Sequence, residues 1–433
     1  MGGKNWAGRV PDNWNLVRFS KAYSFSRGLD IKKQDLSDHG LPVISYGQIH
    51  AKDNPGVRVS DRHIRYIPEE FAKEAQLGRA LLEKGDIVFA DTSEDIEGVG
   101  NMMRAAGGST LYAGYHALIA RPSAEFRHKY MAYQMISSRW RQQIQRSVQG
   151  VKVYSITQRI FNEVTILQPP LHEQQLIVHY LDQKTAEIDA LIEKLSLQVE
   201  LLERYRRELI ARTVTRGLDP DAPMKDSGIE WIGDIPSHWA EASLKSMLRR
   251  VSVKNKPKRR VLSVERVNGV VDRETEGSPD NHNRLPDNLS AYLAVDRGQF
   301  AMNKMKAWRG SYGISRLDGI VSPAYYVFDL NHPNPEFFNW AIRSDAYIPF
   351  FGRDSYGIRT DQWDFKMSAL RSIPFFSPPM SEQAAIVAYL EKETQVIDST
   401  IEGINRQIEL LGRYRKQVIN DAVTGKVRVG EVA

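Results

Sequence analysis

Apolar side chains recur at heptad spacing in two separate stretches of this chain. The first row reads Leu181, Ile188, Leu195, Leu202 and Leu209, and the second reads Leu390, Ile397, Ile404, Leu411 and Val418. A companion row lies four residues on, at Thr185, Ile192, Val199 and Arg206, and at Thr394, Ile401, Ile408 and Arg415. Two rows at this spacing predict a coiled-coil seam on a long helix of roughly 60 Å.

The two stretches are copies of one another. Pro169 aligns with Pro378, Ile188 with Ile397 and Tyr205 with Tyr414, each pair separated by 209 residues. Roughly half of about 42 aligned positions are identical, which indicates an internal repeat. Each copy begins with Pro-Pro, which cannot lie inside a helix but can precede its first turn.

Each predicted helix needs a partner for its apolar seam. The other helix of the same chain is the favoured partner, because an in-chain segment has a high effective concentration. Pairing with another protomer or with a foreign subunit is the alternative. An antiparallel pair would relate the two copies by a pseudo-two-fold axis.

The remaining sequence predicts two mixed α/β globular domains. In the first, β-like runs (41–49, 85–90, 109–120 and 163–167) alternate with helical stretches (69–84 and 128–147). The pattern restarts at Pro236, where PSHW echoes PDNW at Pro11. The fold class is therefore α+β, with predicted segments 1–168 (first globular domain), 169–216 (long helix), 217–235 (linker), 236–377 (second globular domain), 378–424 (long helix) and 425–433 (tail). The two helices are similar in sequence, whereas the two globular domains share the order of their elements but few residues. This difference favours two related recognition modules that bind different targets.

Composition narrows the class of protein. The chain has 433 residues, 42% hydrophobic and 26% charged, with a net charge of +6 and no cysteine. Thiolate metal sites and disulfides are thereby excluded, and a reducing, cytoplasmic location is expected. No apolar run is long enough to cross a membrane. The mild basicity permits a polyanionic partner.

The doubled motifs resemble those of one family. They are Pro-Pro-x-x-Glu-Gln (from Pro169 and Pro378), Arg-Tyr-Arg (204–206 and 413–415), the segment GIEWIGDIPSHW, and the phrases NKMKAWRG and GIVSPAYYV. Taken in this order they are similar to the specificity subunit of type I restriction–modification systems, over essentially the whole chain.

The resemblance implies a division of labour. Two target-recognition domains would each read one half of a split sequence in double-stranded DNA, and an antiparallel coiled coil would set the gap. The helices would also dock two methyltransferase subunits, and motor-nuclease subunits would join that core. S-adenosylmethionine, ATP and Mg are expected in those partner subunits, with no cofactor, metal or catalytic residue in this chain.

The residues agree with a non-catalytic role. There is no phosphate-binding Gly-x-x-x-x-Gly-Lys-Ser/Thr loop and no metal-ligand spacing among the ten histidines. Asp91, Glu94 and Asp95 form a carboxylate cluster that lacks a nearby lysine. We interpret it as a set of loop acceptors, suited to cytosine amino groups, rather than as a nuclease site.

Candidate DNA contacts follow from side-chain chemistry. In the first domain they are Gln48, His50, Ser93, Asn101, Arg104, Tyr115 and Lys152, with Tyr46 as an alternative core residue. In the second they are Lys254, Lys256, Lys258, Arg259, Arg260, Asn303, Lys304, Lys306, Arg309, Arg353, Tyr356 and Arg359, the last three in a predicted loop. Cations suit phosphates, while Asn and Arg suit adenine and guanine. A solvated loop is the alternative for the basic run, and a core position is the alternative for Trp308.

The repeated Arg204, Tyr205, Arg413 and Tyr414 are candidates for subunit docking, with packing between the helices as the alternative. A coiled-coil scaffold with protein-binding ends is the competing function. An enzyme with an unrecognised site is a third.

Overall fold

The computed structural model describes residues 6–71, 74–148, 150, 153–273, 285–359 and 362–429. It divides into two compact units. Unit 1 comprises Met1–Leu195 and Arg406–Ala433, and unit 2 comprises Ser196–Asn405. Each unit therefore contains one globular domain, the first half of one long helix and the second half of the other.

Unit 1 is built from short strands and helices that lead into the first long helix. The strands are β1 Asn15–Arg18, β2 Tyr23–Arg27, β3 Leu41–Ile44, β4 Arg65–Ile67, β5 Ile87–Ala90, β6 Thr92–Ser93, β7 Met102–Arg104, β8 Tyr112–Ala113, β9 Ala117–Pro122, β10 Tyr154–Ser155 and β11 Thr165–Gln168. The helices are α1 Phe19–Ala22, α2 Tyr46–Ile49, α3 Glu74–Ala80, α4 His128–Ile136, α5 Ser138–Gln145, α6 Gln158–Glu163 and α7 Leu171–Arg216, with 3-10 turns at Lys33–Asp35, Asp61–His63 and Glu69–Phe71.

Unit 2 is likewise built from short strands and helices that lead into the second long helix. Its strands are β12 Met224–Asp226, β13 Asp234–Pro236, β14 Ala240–Ser243, β15 Leu248–Val251, β16 Leu262–Glu265, β17 Gly269–Asp272, β18 Leu293–Val295, β19 Phe300–Asn303, β20 Tyr312–Ile314, β21 Gly319–Val321, β22 Tyr325–Leu330, β23 Ser355–Arg359, β24 Gln362–Phe365 and β25 Pro374–Ser377. Its helices are α8 Leu244–Met247, α9 Pro335–Ile342, α10 Ile348–Arg353 and α11 Met380–Val423, with 3-10 turns at Ala307–Arg309 and Met367–Arg371.

The two units share one sheet topology. A four-stranded antiparallel sheet has the order β2-β9-β5-β7 in unit 1 and β15-β22-β19-β20 in unit 2. In both, the first strand of the globular domain pairs with the strand that precedes the long helix: Asn15 with Gln168, and Ala240 with Ser377. The predicted α+β class and the internal repeat are confirmed.

Each globular core is completed by two long-helix segments. In unit 1, Ile177 and Leu181 of α7 join Ile419 and Val423 of α11 in the main apolar cluster. The equivalent residues, 209 positions away, do the same in unit 2: Ile386, Leu390, Ile210 and Val214. Full burial of each such side chain contributes about 1.5–3 kcal/mol, so the helices are part of the domain cores as well as spacers.

Equivalent ion pairs show that the helix segments run antiparallel in both units. In unit 1, Arg415 binds Asp189 at 2.7 Å. In unit 2, Arg206 binds Asp398 at 2.9 Å. Gly425, beyond the end of α11, lies near Trp14, which itself contacts the first turn of α7 at Glu173. Partner numbers thus fall along α11 as they rise along α7, and the predicted antiparallel coiled coil is confirmed.

The heptad rows face inward. Leu181, Ile188, Leu390, Ile397, Ile404 and Val418 are buried, and Leu195, Leu202, Leu209 and Leu411 are half-buried. Thr185 and Thr394 occupy equivalent buried positions and donate their hydroxyls to the carbonyls of Leu181 and Leu390, each at 2.6 Å. These helix-interior polar groups are therefore satisfied without a partner from the opposite helix.

The Pro-Pro-x-x-Glu-Gln motif anchors the start of each long helix. Glu173 accepts hydrogen bonds from Trp14 Nε1 at 2.7 Å and from Asn13 Nδ2. Glu382 accepts from Trp239 Nε1 at 3.1 Å and His238 Nε2 at 2.9 Å. The following glutamines, Gln174 and Gln383, donate to the carbonyls of Pro169 and Pro378, both at 2.8 Å. We call this arrangement the Trp–Glu anchor.

The anchor extends the echo between PDNW and PSHW to a longer repeat that begins at an earlier tryptophan in each copy. Trp6 to Trp14 and Trp231 to Trp239 share the pattern Trp-x-Gly-x-Val/Ile-Pro-x-x-Trp. Gly8 and Gly233 both have positive φ, +77° and +66°, at the turn between the tryptophans. The end of the predicted linker is therefore packed structure: Ile232 and Ile235 are buried, and Trp231 Nε1 donates to the Ala346 carbonyl at 3.1 Å.

We expect Glu382→Ala to lower the free energy of unfolding by about 2 kcal/mol, because two side-chain donors lose a charged acceptor. Glu193→Ala, at an exposed mid-helix position, is the matched control and should change it by less than about 0.5 kcal/mol. Urea denaturation monitored by circular dichroism measures both. Equal effects of the two substitutions would contradict the anchor.

Candidate nucleic-acid interface

Both units bring the same two segments together at the end of the third strand of the four-stranded sheet. In unit 1 the loop after β5 is held by a hydrogen bond from Ile156 N to the Asp91 carbonyl, at 2.7 Å. In unit 2 the loop after β19 is held by a bond from Phe365 N to the Lys304 carbonyl, at 3.0 Å. We call each of these loops (91–101 and 304–311) the strand-end loop.

The chemistry of the two strand-end loops is opposite in sign. The loop of unit 1 carries Asp91, Glu94, Asp95 and Glu97 and no lysine or arginine. The loop of unit 2 carries Lys304, Lys306 and Arg309 and no acidic residue. One frame thus presents hydrogen-bond acceptors in one unit and donors in the other.

His50 and Asn101 form the base of the unit 1 site. His50 Nε2 lies 2.9 Å from the Thr92 carbonyl, and Asn101 Nδ2 lies 3.1 Å from His50 Nδ1. This pairing requires the proton on Nε2, since a carbonyl only accepts and the Asn101 amide nitrogen donates. Both ring nitrogens of His50 form hydrogen bonds within the protein. We therefore interpret His50 and Asn101 as residues that hold the loop in place rather than as direct contacts to DNA.

Tyr46 and His116 lie above that base. The Tyr46 ring centroid is 4.5 Å from that of His50 and 6.1 Å from that of His116. Burial, followed by the charges of Glu94 and Asp95, raises the pKa of Tyr46. The negative charges of Glu94 and Asp95 therefore influence the Tyr46 hydroxyl. Tyr46 packs against the core and is also part of the candidate site.

His116 is a site residue that the sequence analysis did not single out. Its backbone has φ of +50°, a conformation that is uncommon outside glycine, and its exposed ring places Nδ1 3.0 Å from Asp91 Oδ1. Strain at an exposed polar residue is typical of functional loops. In the sequence, only its position next to the candidate Tyr115, immediately before β9, could have indicated His116 as a site residue.

Three other unit 1 candidates make contacts to backbone. Gln48 Oε1 accepts from Ser45 N at 3.1 Å, and the buried Ser93 donates to the Asp95 carbonyl at 2.7 Å. Arg104 Nε donates to the Val57 carbonyl at 2.8 Å, and burial lowers the pKa of this guanidinium.

Two further candidates of unit 1 complete the set. Tyr115 is half-buried, and burial raises its pKa. Lys152 lies outside the described residues.

The basic run of unit 2 separates into two groups. Arg259 pairs with Asp296 at 2.6 Å and Arg260 with Asp272 at 2.9 Å. Lys254, Lys256 and Lys258 are exposed, and no acidic side chain of the described ranges pairs with them. Asn255, between two of these lysines, has φ of +64°, which turns the chain at this point. The three lysines are the cations of this run that remain available to a ligand.

The strand-end loop of unit 2 is rigidly built. Asn303 is buried, and its Oδ1 accepts from Met305 N at 3.1 Å, which shapes the turn. Lys304 lies 3.6 Å from Asp364, while Lys306 is exposed. Trp308 is half-buried and its ring centroid is 4.8 Å from that of Trp363. Trp308 thus supports the loop from beneath.

The segment around Tyr356, predicted as a loop, is a β-hairpin. β23 and β24 pair antiparallel with a bulge between Tyr356 and Arg359. Tyr356 is 60% exposed, and Lys366 Nζ lies 5.3 Å from its ring centroid. The prediction was wrong because strands of four or five residues interrupted by Gly357 give little periodic signal.

The flanking arginines of this segment have different positions. Arg353 ends α10 and pairs with Asp354 at 2.9 Å. Arg359 ends β23, and its side chain lies outside the described part of the structure.

The repeated Arg-Tyr-Arg serves two surfaces. Its last residue, Arg206 or Arg415, pairs with an aspartate of the neighbouring helix. Tyr205 and Tyr414 are each 53% exposed. Arg204 pairs along its own helix with Glu208 at 2.7 Å, and Arg413 does so with Glu409.

Each repeated tyrosine has an exposed leucine one turn before it. These residues, Leu201 and Leu410, are each 54% exposed. We call the pairs Leu201/Tyr205 and Leu410/Tyr414 the helix patches.

A metal centre and a membrane-spanning helix each require a recognisable arrangement of residues. Among the described residues, no group of three or more His, Asp or Glu side chains is arranged to hold a metal ion. None of the described helices combines the length and apolarity needed to span a bilayer.

Comparison with known proteins agrees with this architecture. Residues 26–201 match the family described as type I restriction modification DNA specificity domain. The chain is 21% identical to the type I restriction enzyme StySPI specificity subunit of Salmonella potsdam, over 97% of this chain and 90% of that protein. It is 22% identical to the EcoKI specificity subunit of Escherichia coli K12, over 97% and 90% of the two chains.

Solved structures share the fold. A chain from a study of assembly and conformational transition in a type I restriction–modification system superposes with a TM-score of 0.68, at 14% identity, covering 97% of this chain and all of that one. The HsdS subunit of Thermoanaerobacter tengcongensis gives 0.51 at 15% identity, with coverage of 97% and 98%. The doubled units, the doubled helices and these full-length matches lead to one conclusion: the chain is similar over nearly its whole length to type I restriction–modification specificity subunits, and residues 26–201 match the DNA specificity domain of that family.

Proposed function

We propose that this chain is the DNA-reading subunit of a type I restriction–modification complex, in which each unit reads one half of an asymmetric, split target. The observation that carries the proposal is the pair of strand-end loops. Both are held by the same backbone hydrogen bond at the end of the same strand, yet their side chains are opposite in charge. A shared frame with different loop chemistry is what two readers of different base sequences require.

Contacts to the DNA backbone come from exposed cations. Lys254, Lys256 and Lys258 follow β15 and are free to neutralise phosphates, which gives affinity without sequence preference. Base contacts come from the strand-end loops and the residues beside them. Carboxylates such as Glu94 accept from amino groups of cytosine, while Lys306 and Arg309 donate to guanine.

The antiparallel helices set the gap between the half-sites. Their segments are anchored to each globular core by buried side chains and by the Trp–Glu anchor, so the length of the helices is transmitted to the readers. The protein has no catalytic role in this proposal. Adenine methylation with S-adenosylmethionine, and cleavage with ATP and Mg, belong to methyltransferase and motor-nuclease partners.

The helix patches are the docking sites for two methyltransferase subunits. Each patch combines an exposed leucine and an exposed tyrosine one turn apart, and the patch occurs once in each copy of the repeat. Tyrosine is enriched at the energetic centres of protein interfaces, so the tyrosine of each patch is the candidate centre of a docking site. A scaffold that binds proteins at its globular ends is the competing function, and it does not require the free lysines.

The first test is a base-resolution map of adenine methylation in cells that express this chain with its neighbouring methyltransferase. We expect a split motif that vanishes when only this chain is removed. A stable complex with an active methyltransferase but no motif would favour the scaffold function.

Replacing Lys254, Lys256 and Lys258 together by alanine should weaken DNA binding by the complex at every sequence. The slope of log affinity against log salt should fall by about 0.9 for each phosphate that is no longer neutralised. Binding titrations at several salt concentrations measure this slope. The methylated motif should stay the same, and a changed motif would show that these lysines contact bases.

Double substitution Tyr205→Glu and Tyr414→Glu should weaken co-purification of the methyltransferase at least tenfold, since buried interface aromatics contribute about 2 kcal/mol each. Charge reversal at Arg204 and Arg413 should weaken it less, because those side chains pair along their own helices. Circular dichroism should show that the chain stays folded.

The matched control for docking is Glu203→Lys with Lys416→Glu. Both positions are exposed and lie two residues from a patch tyrosine, on the opposite side of the helix. Normal co-purification of the tyrosine double variant, or an equal decrease in the control, would contradict the docking sites.

A further inference from the structure

One apolar side chain of unit 2 lies almost fully in solvent, at a turn. Val267 is 81% exposed, the highest value among the large apolar side chains that the structure describes. Glu265 of β16 pairs with Gly269 of β17, so three residues connect the two strands. We call these residues, 266–268, the β16–β17 tip. Turns favour glycine, proline, asparagine, aspartate and serine, so the turn itself gives no reason for a valine here.

The β16–β17 tip is held in one conformation by an arginine. Arg343 Nη2 donates hydrogen bonds to the carbonyls of Arg266 and Val267, at 2.8 and 2.6 Å. Hydrogen bonds from a charged donor are stronger than neutral ones. Gly269 closes the turn with φ of +72°, and any Cβ there would approach Arg343 Nη1 to 3.0 Å. The valine is therefore presented from a fixed backbone, and its β-branched side chain adds little rotational freedom.

The two strands that carry the tip belong to the core of the domain. Leu262, Val264 and Val270 are buried in an apolar cluster together with Val321 and Val327. The hairpin is thus part of the packed structure of unit 2, and it holds the tip at a defined place on the surface.

That place adjoins the strand-end loop of unit 2. A Cβ at Gly310, in the loop, would lie 4.0 Å from Arg266 Cγ. Arg266 is exposed, and no acidic side chain of the described ranges pairs with it. Lys306 of the loop is exposed as well, while Glu265 accepts a hydrogen bond from Asn268 at 3.0 Å. The tip and the loop together offer exposed cations next to an exposed apolar side chain.

Unit 1 places a site residue at the equivalent position. Its strand β3 pairs in parallel with β8, the strand before β9, through Val43 and Tyr112. The entry to β16 forms the same parallel bridge in unit 2, between Val261 and Ile320 of β21, the strand before β22. After β3 the chain turns into α2, whose Tyr46 lies in the candidate site of unit 1. After β16 it turns into the β16–β17 tip.

A thymine in double-stranded DNA fits an apolar side chain that is flanked by cations. Thymine is the base whose edge in the major groove carries a methyl group, and apolar side chains read it by contact with that group. The phosphates that border the groove attract neighbouring lysines and arginines. The combination at the tip matches both features.

We infer that Val267 is a specificity-determining residue of unit 2 and contacts the C5-methyl group of a thymine in its half-site. The inference rests on the proposed function and adds one base to the target that unit 2 reads. Contact with an apolar surface of a partner protein is the competing role for Val267, and it predicts a different result.

The experiment measures DNA binding by the full complex of this chain with its methyltransferase. The probe is a duplex that carries the motif found by the methylation map. Each thymine of the motif is replaced in turn by uracil, which lacks only the C5-methyl group. With the wild-type chain, uracil at one position should weaken binding about fourfold, the equivalent of one buried methyl group.

Substitution of Val267 should abolish this preference. Val267→Ala should bind the thymine duplex about fourfold more weakly than the wild type does, and it should bind the thymine and uracil duplexes equally, because the methyl group has lost its contact. Val267→Ile keeps a branched apolar side chain and should keep the preference for thymine.

Three results would overturn the inference and leave the proposed function intact. Equal binding of thymine and uracil duplexes by the wild type at every position excludes a methyl contact. A thymine preference that persists in Val267→Ala assigns the methyl contact to another residue. Loss of the methyltransferase from the Val267→Ala complex assigns Val267 to a protein contact. A wild type that directs no motif at all overturns the proposed function and the inference with it.

The matched control is Val253→Ala, at an exposed valine of the same unit that follows β15. It should keep the thymine preference of the wild type at every position, and an equal loss of that preference would count against Val267. Circular dichroism should show that all variants stay folded.

Discussion

The structure depends on a carboxylate at the first turn of each long helix. Glu173 and Glu382 each accept two side-chain N–H groups from the entry segment of their globular domain. The position suits a negative charge, because unpaired backbone N–H groups and the helix dipole give the N-terminus a partial positive charge. The same residue therefore stabilises the helix and fixes its direction relative to the core that it leaves. A spacer can transmit its length to a reader only where the joint between them is rigid.

The backbone architecture is the same in the two units, whereas the side chains of their strand-end loops differ. Strand order, the pairing of the first strand with the last, and the backbone bond to each strand-end loop are the same in both units. These contacts involve backbone groups, which are indifferent to side-chain identity. The side chains at the loop can thus change from acidic to basic without disturbing the fold. This separation explains how two copies of one architecture acquire different targets.

Sequence alone predicted what depends on periodicity. The heptad rows and the 209-residue offset identified two helices and their pairing, since burial on one face repeats along the whole length. The function of Pro-Pro-x-x-Glu-Gln was not predictable, because Glu173 meets Trp14 across about 160 residues of chain. Of the Trp6–Trp14 repeat, the sequence indicated only the Pro-x-x-Trp part, at Pro11 and Pro236, because the first half of the second copy falls inside the segment predicted as a linker. The candidate site was predicted less well: composition found the basic run, yet Arg259 and Arg260 proved to be engaged within the protein. Whether a cation is paired or available is decided by tertiary contacts, which a single sequence does not display.

The two interhelical ion pairs have a further consequence. Asp189 and Asp398 are the same residue of the repeat, and so are Arg415 and Arg206. Each aspartate binds the arginine of the other copy, which is the isologous relation normally found between the identical subunits of a dimer. In the pairing of these four residues the two copies of the repeat are equivalent, although they belong to one polypeptide. A substitution of any one of these four residues removes one ion pair between the helices. The equivalent ion pair, formed by the other aspartate and the other arginine, stays in place.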